Sequence, residues 1–165
     1  MTRTSLKDFN CSIAQTMDIV GDKWAMLIIR DALYGFHRFS DFQKSLGVAR
    51  NILADRLSQL VDTGILERRQ TKPDVERYEY YLTEKGQSLL PVLIALLQWG
   101  DKWVFAAEGE PVRILDRKTK SPVQTVAVLA RDGRTLKAED VMVEPGPNAP
   151  EDLREAIARS AEAAG

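Results

Sequence analysis

The stretch FHRFSDFQKSLGVARNILADRLSQLVDTGILERRQTKPDVERYEYYLT, residues 36–83, decides the fold. Its middle, VARNILADRLSQLVDTG (48–64), is the clearest helix in the chain. Ile52, Leu53, Leu57, Leu60 and Val61 make one apolar stripe, while Arg50, Asn51, Asp55, Arg56, Ser58 and Gln59 fall mostly elsewhere. Gly64 stops it. Upstream, Ser40 is placed as the N-cap of a short helix ending at Leu46, with Phe39 and Phe42 as its apolar contacts. Gly47 makes the tight turn between the two helices. A pair of helices joined in this way, the second opening with polar side chains, is a helix-turn-helix. Downstream, ILERRQ (65–70) and RYEYYLT (77–83) read as strands around a turn-rich loop containing Pro73 and Asp74. Helix-turn-helix followed by a hairpin is a winged helix, so the expected class is α+β.

The flanks extend this unit. Residues 12–20 and 23–34 read as helices separated by Gly21; Trp24, Leu27, Ile28 and Ala32 mark the apolar side of the second, which Gly35 closes. Thr83 is expected to cap a long helix from Glu84 to Phe105, bent at Pro91. One row of that helix holds Leu89, Leu93, Leu96, Gly100 and Trp103, and another holds Leu90, Ile94, Leu97 and Val104. A helix apolar on two sides must be covered on both. Another copy of the chain is the simplest second cover, giving a homodimer with flanking dimerisation helices; the C-terminal region is the alternative. From Glu110 the character changes. Residues 113–136 read as a small β-hairpin, with TVAVLA (125–130) as main strand and Asp132-Gly133 as turn. GPNAP (146–150) breaks the chain, and EDLREAIARSAEAA (151–164) is a short amphipathic helix. The expected division is a winged-helix DNA-binding and dimerisation domain, residues 1–107, and a C-terminal extension, residues 108–165.

Composition narrows the function classes. The 165 residues carry a net charge of −1, with cations and anions nearly balanced on both sides of residue 107. Nucleic-acid binding must therefore rest on a local patch. One cysteine and one histidine exclude an intrachain disulfide framework and any multi-cysteine metal site. With no Gly-rich phosphate loop either, an enzyme lacks its usual parts. The N-terminus has no apolar signal region, and the longest apolar run, Leu89 to Leu97, is shorter than the about 20 residues a membrane span needs. The cytoplasm is the expected compartment.

Several segments in order resemble one family. Cys11, MDIVGDKW (17–24), RFSDFQKSLG (38–47), RNILADRLSQLVDTGILERR (50–69), RYEYYLTEKG (77–86) and LLPVLIALLQWGDKW (89–103) are similar to HxlR-type regulators, covering residues 11 to about 105. The resemblance implies a winged helix, a dimer built from the first and last helices, and binding to a palindromic operator in double-stranded DNA. Many relatives carry Ser where this chain has Ala49 and Ala54, so contacts should fall more heavily on Arg50, Asn51 and Arg56. The extension resembles one found in a subset of the family, some of whose members carry cysteine pairs suggestive of a zinc ribbon. Here no Cys or His follows His37, so neither zinc nor another cofactor is expected.

The candidate DNA contacts follow from these positions. Arg50, Asn51 and Arg56 lie toward the exposed start of the recognition helix, within reach of base edges or phosphates. Arg69, Lys72 and Arg77 are wing cations suited to phosphate, with Asp74 and Glu76 opposing them unless turned away. Ser40 and Lys44, on the preceding helix, are candidate backbone contacts, although Ser40 is equally explained as a cap. Cys11 precedes a helix whose macrodipole can lower a thiol pKa, and some HxlR relatives sense oxidants or electrophiles at the matching place. Its other reading is a small apolar residue packed at the dimer edge, and both stand open. His37 reads as an exposed loop residue, and Trp24, Trp99 and Trp103 as core rather than as the lining of a pocket for a small-molecule effector. The rival function is a winged helix used for protein interaction, which the near-neutral charge would suit.

Overall fold

The computed structural model describes residues 6–72 and 75–164. Helices α1 (Ser12–Val20) and α2 (Lys23–Leu33) are separated at Gly21 and Asp22. Asp22 caps α2: its carboxylate accepts the backbone N–H groups of Trp24 at 2.9 Å and Ala25 at 3.4 Å. Helix α2 is the spine of the molecule, burying Ala25, Ile28, Ile29, Asp31 and Ala32. Helices α3 (Phe39–Leu46) and α4 (Arg50–Asp62) follow as the helix-turn-helix. Gly47 sits in the left-handed region (φ 61), which a residue with a side chain adopts only with strain. The adjacent Val48 is buried and pins the turn to the core.

Two local readings of this segment change. The N-cap position of α3 is Arg38, not Ser40, and no side chain caps the helix. The backbone N–H of Tyr80 bonds the His37 carbonyl at 2.8 Å, holding residues 37 and 38 extended, so the helix begins at Phe39 and Ser40 falls inside its first turn. The Ser40 hydroxyl contacts the Asp41 carboxylate instead, at 3.4 Å. In α4, Leu53, Leu57 and Leu60 enter a common core with Ile28, Ile29 and Phe42, but Ile52 is exposed. One residue is about 100° of helix rotation, enough to carry Ile52 out of the stripe that begins at Leu53.

The wing is an antiparallel pair, β1 (Leu66–Lys72) and β2 (Val75–Leu82), in register from Leu66↔Leu82 to Gln70↔Tyr78 with an irregularity at Thr71. Side chains alternate across it. Leu66, Arg68 and Gln70 share a face with Leu82, Tyr80 and Tyr78, and the Leu66 end of that face lies in the core. Glu67 and Arg69 share the other face with Tyr81 and Glu79. An isolated bridge between Arg38 and Glu79 adds a fragment of third strand at the free edge of β2. The turn residues Pro73 and Asp74, with the side chains of Lys72 and Glu76, lie outside the described residues.

Thr83 caps the next helix as its position suggests: its hydroxyl accepts the Gly86 N–H at 3.1 Å and donates to the Gly64 carbonyl at 2.6 Å. The single bent helix expected over 84–105 is two helices, α5 (Glu84–Gln87) and α6 (Leu90–Trp103). Pro91 has no N–H to offer the Gln87 carbonyl, so the ladder breaks and the proline takes the first turn of α6, where no donor is needed. Gly86 is required by proximity, because a Cβ there would stand 2.3 Å from the Ile65 carbonyl oxygen.

In the extension the Asp132-Gly133 turn forms, with Ala130 N–H on the Arg134 carbonyl and Leu136 N–H on that of Val128. TVAVLA, however, is not a ladder strand; the bridges there are isolated, Leu129↔Thr135 and Leu115↔Pro122. The backbone of this segment finds a different partner. The Gln98 carboxamide on α6 accepts from Val126 N–H at 2.8 Å and donates to the Gln124 carbonyl at 3.1 Å, taking the place of a neighbouring strand. Helix α7 (Glu151–Ala164) closes the chain as expected.

The Gly86 contact is testable. Gly86→Ala should lower unfolding free energy by about 1–3 kcal/mol in urea titration, because backbone rather than a flexible side chain must give way. An unchanged midpoint would show that α5 shifts without cost.

Candidate nucleic-acid interface

The recognition helix presents its first turn to solvent. Arg50 and Asn51 are both exposed, and the Arg50 guanidinium lies 5.0 Å from the centre of the Phe39 ring, leaning on α3. Asn51 carries no side-chain hydrogen bond to the described residues, which leaves its amide free to pair with a base edge. Free N–H groups at the start of α4, uncapped at Ala49, add a partial positive charge suited to phosphate. On α3, Ser40 and Lys44 are exposed and four residues apart, hence on one face of the helix.

Arg56 is placed differently from Arg50 and Asn51. Its Nε stands 3.2 Å from Asp22 Oδ1 without hydrogen-bond geometry, and its Nη1 is 3.1 Å from Asp55 Oδ2 and 2.6 Å from Gln59 Oε1. The side chain is only 20% exposed. Arg56 therefore ties α4 to the cap of α2, and its capacity for a further contact is reduced. Asp55 and Gln59 were visible as helical neighbours; Asp22, from another helix, was not.

On the wing, Arg69 pairs with Glu67 and lies 4.4 Å from the Tyr81 ring centre. Arg77 is exposed, and its carbonyl accepts the Thr71 hydroxyl at 3.1 Å. The opposite face carries Arg68, 4.1 Å over the Tyr78 ring, a cation that the sequence reading passed over although strand alternation separates it from Arg69. Arg38 was also missed; it is 61% exposed at the head of α3 and pairs with Glu79 at 3.2 Å. His37 is half-buried rather than an exposed loop residue: it stacks on Tyr81 with ring centres 4.2 Å apart, and its Nδ1 is 3.2 Å from the Tyr80 carbonyl oxygen. The Tyr81 hydroxyl donates to Glu79 at 2.7 Å, and this bond, with the Arg38 contact, holds the Glu79 carboxyl below its ordinary pKa. The same bond raises the pKa of Tyr81.

An αL glycine turn, a recognition helix with an exposed polar start and a hairpin braced against the preceding helix together define a winged-helix DNA-binding protein. The chain belongs to the HxlR-like helix-turn-helix family, whose model matches residues 19–108, and it is accordingly a transcriptional regulator rather than an enzyme. It is 34% identical over 136 residues to the HTH-type transcriptional regulator Rv3095 of Mycobacterium tuberculosis, covering 82% of this chain and 86% of that one. Among solved structures it is similar to PA1607, described as a transcription factor, with 44% identity, a TM-score of 0.80, and coverage of 87% of this chain and 100% of that one. The redox regulator HypR in its reduced form is 27% identical with a TM-score of 0.52, matching 56% of this chain and 92% of its own. No helix among the described residues is long and apolar enough to cross a membrane.

Two outcomes follow from this geometry. Arg56→Ala should lower Tm by about 2–4 °C, the size of one part-exposed ionic tie, in a thermal melt without DNA. An unchanged Tm would leave Arg56 free for another role. Because the Glu79 pKa is depressed, its contribution is complete above the ordinary carboxylate range and is lost as pH falls through the lowered value. The Tyr81 ring resonances followed by NMR should shift over that acidic window in the wild type and stay flat in Glu79→Gln.

Proposed function

We propose that the protein is a homodimeric regulator that places two copies of α4 in successive major grooves of a palindromic operator. The observation that carries this reading is the exposed amide of Asn51, which bonds none of the described residues, beside Arg50 at the start of a helix whose other face is locked in the core. Asn51 suits adenine and Arg50 guanine, and the exposed Ile52 offers a thymine methyl contact. Ser40 and Lys44 reach the phosphates beside α3, and Arg69, Lys72 and Arg77 those beneath the wing. Arg56 contributes more to the attitude of α4 than to direct contact. The dimer is supported by α6, on which Trp99 and Trp103 are 61% and 64% exposed, and by α1, where Ile13 is 76% exposed. Surfaces of this kind on a small protein mark an interaction face. In this reading residues 1–107 form the DNA-binding and dimerisation unit, residues 108–165 are an accessory, and the protein works in the cytoplasm.

A redox response at Cys11 belongs to the same proposal. The thiol is exposed at the N-cap position of α1, which favours access over burial as packing. Structural relatives include HypR, a redox regulator solved in reduced and oxidised forms, and YodB of B. subtilis, solved in its reduced form. Two Cys11 thiols, one from each copy, would give two electrons and two protons to a hydroperoxide, forming an intersubunit disulfide and releasing water and an alcohol.

Fluorescence anisotropy on the upstream DNA of the protein's own gene tests the first part. Binding should weaken with salt by about 0.9 log units per phosphate contact per log unit of salt. Asn51→Ala should lose about tenfold or more in affinity for that fragment and little for random duplex. A salt-independent signal, or equal affinity for both duplexes, favours the protein-interaction reading. Sedimentation at micromolar concentration should give about twice the 18.5 kDa chain mass; a monomer refutes the dimer. Peroxide should change the DNA affinity of the wild type and not of Cys11→Ser, and equal responses make Cys11 structural.

A further inference from the structure

Residues from both apolar rows of α6 line one cleft, and a further face of the helix is exposed. Val92, Trp99 and Trp103 face solvent. Leu93, Ile94, Leu97 and Gly100 instead turn toward α2 and, with Leu115 of the extension as part of the roof, line a cavity of about 640 Å³. That volume falls in the range of about 300–1,000 Å³ typical of small-molecule sites. The space opens to solvent, since Leu90, Leu96 and Leu115 in its lining are each about half exposed, so it is a cleft and not an internal void.

Gly100 supplies an independent sign. A glycine inside a helix is less stable than alanine, yet nothing among the described residues demands one here. Its φ is not left-handed, and a Cβ added to it would meet no atom within 4 Å. What its missing side chain leaves open is part of the cavity.

The polar groups of the lining indicate what the occupant carries. Arg30 on α2 is oriented by the buried Asp31, whose Oδ1 takes Nε at 2.9 Å and Nη2 at 2.7 Å; Nη1 has no partner among the described residues. Arg117 follows Asp116, whose carboxylate accepts the N–H groups of Lys118 and Thr119 at 2.7 Å each and so fixes the turn that carries Arg117. Arg117 has no ion pair among the described residues, and Asp101 is the one acidic side chain of the lining. Arg30 is already paired with Asp31, but its Nη1 and the whole Arg117 guanidinium keep N–H donors beside an apolar interior, an arrangement that favours a ligand with an anionic acceptor and a greasy body.

We infer that the cavity between α2, α6 and residues 111–117 binds a small amphipathic carboxylate, its acyl or aromatic part among the α6 leucines and its carboxylate at Arg30 and Arg117. The binding claim goes beyond the operator reading and stands without it. The ligand would touch α2, against which both helices of the helix-turn-helix pack, as well as the extension.

Calorimetric titration of the full chain with decanoate and 2-naphthoate, beside decanamide and 2-naphthamide, tests this without DNA. At least one acid should bind saturably, once per chain and about tenfold tighter than its amide, since only the acid forms charge-assisted bonds. Arg117→Gln should erase that preference. Gly100→Leu should weaken acid binding by about tenfold or more by filling the space, with the sedimentation mass unchanged. Gly100→Ala, the milder variant in case leucine prevents folding, should raise Tm while weakening the acid. Absence of saturable heat with both acids, equal binding of acid and amide, or undiminished binding in both glycine variants overturns the inference. A loss of assembly in Gly100→Leu overturns it too, by assigning the cavity to the contact between copies.

Discussion

Burial of Leu53, Leu57 and Leu60 against Ile28, Ile29 and Phe42 is the constraint on which the other features depend. A helix with one stripe wholly buried cannot rotate about its own axis, so Arg50, Asn51 and Ile52 are turned outward by it, with only the Arg50–Phe39 contact added at the surface. Magnitudes show which effect dominates. Each buried leucine contributes about 1.5–3 kcal/mol, whereas a part-exposed ion pair such as Arg56–Asp22 is worth about 0–1 kcal/mol. The leucines set the attitude of the recognition helix and Arg56 adjusts it. Asp22 links the two levels, since the oxygen that caps α2 also faces the guanidinium from α4.

The wing is tied to the same frame at its base. Leu66 is buried, and Tyr80 and Leu82 pack on the core cluster. Residues 37 and 38 pair with the free edge of β2, which shields that edge and fixes where α3 starts. His37, Tyr81, Glu79, Arg38 and Arg69 then form one connected polar group at the junction of wing and helix. A movement of the hairpin is thereby felt at the head of α3.

Helix α6 is where the winged helix meets residues 111–126. Its length comes from a proline that ends α5 and starts a fresh helix, and its two faces offer different surfaces. One leaves Val92, Trp99 and Trp103 exposed, while the other lines a cleft roofed in part by the extension. The extension itself is held less by regular sheet than by Gln98, a side chain substituting for a strand.

By itself the sequence determined the order of elements and the family. Leucines at helical spacing, Gly47, Gly64, Thr83 and Pro91 each act through local sterics or local hydrogen bonds, and such signals survive without the rest of the chain. It also placed Arg50 and Asn51 at the exposed start of the recognition helix, because one apolar stripe implies its opposite. The tertiary structure decided whatever depends on residues distant in sequence. The head of α3 is set by β2 rather than by Ser40, and Arg56 is claimed by a carboxylate from another helix. His37 is stacked because Tyr81 arrives beside it, and TVAVLA lacks a ladder because Gln98 bonds its backbone. Periodicity reports which side of a segment is apolar; it carries no information about which distant polar group will meet the other side.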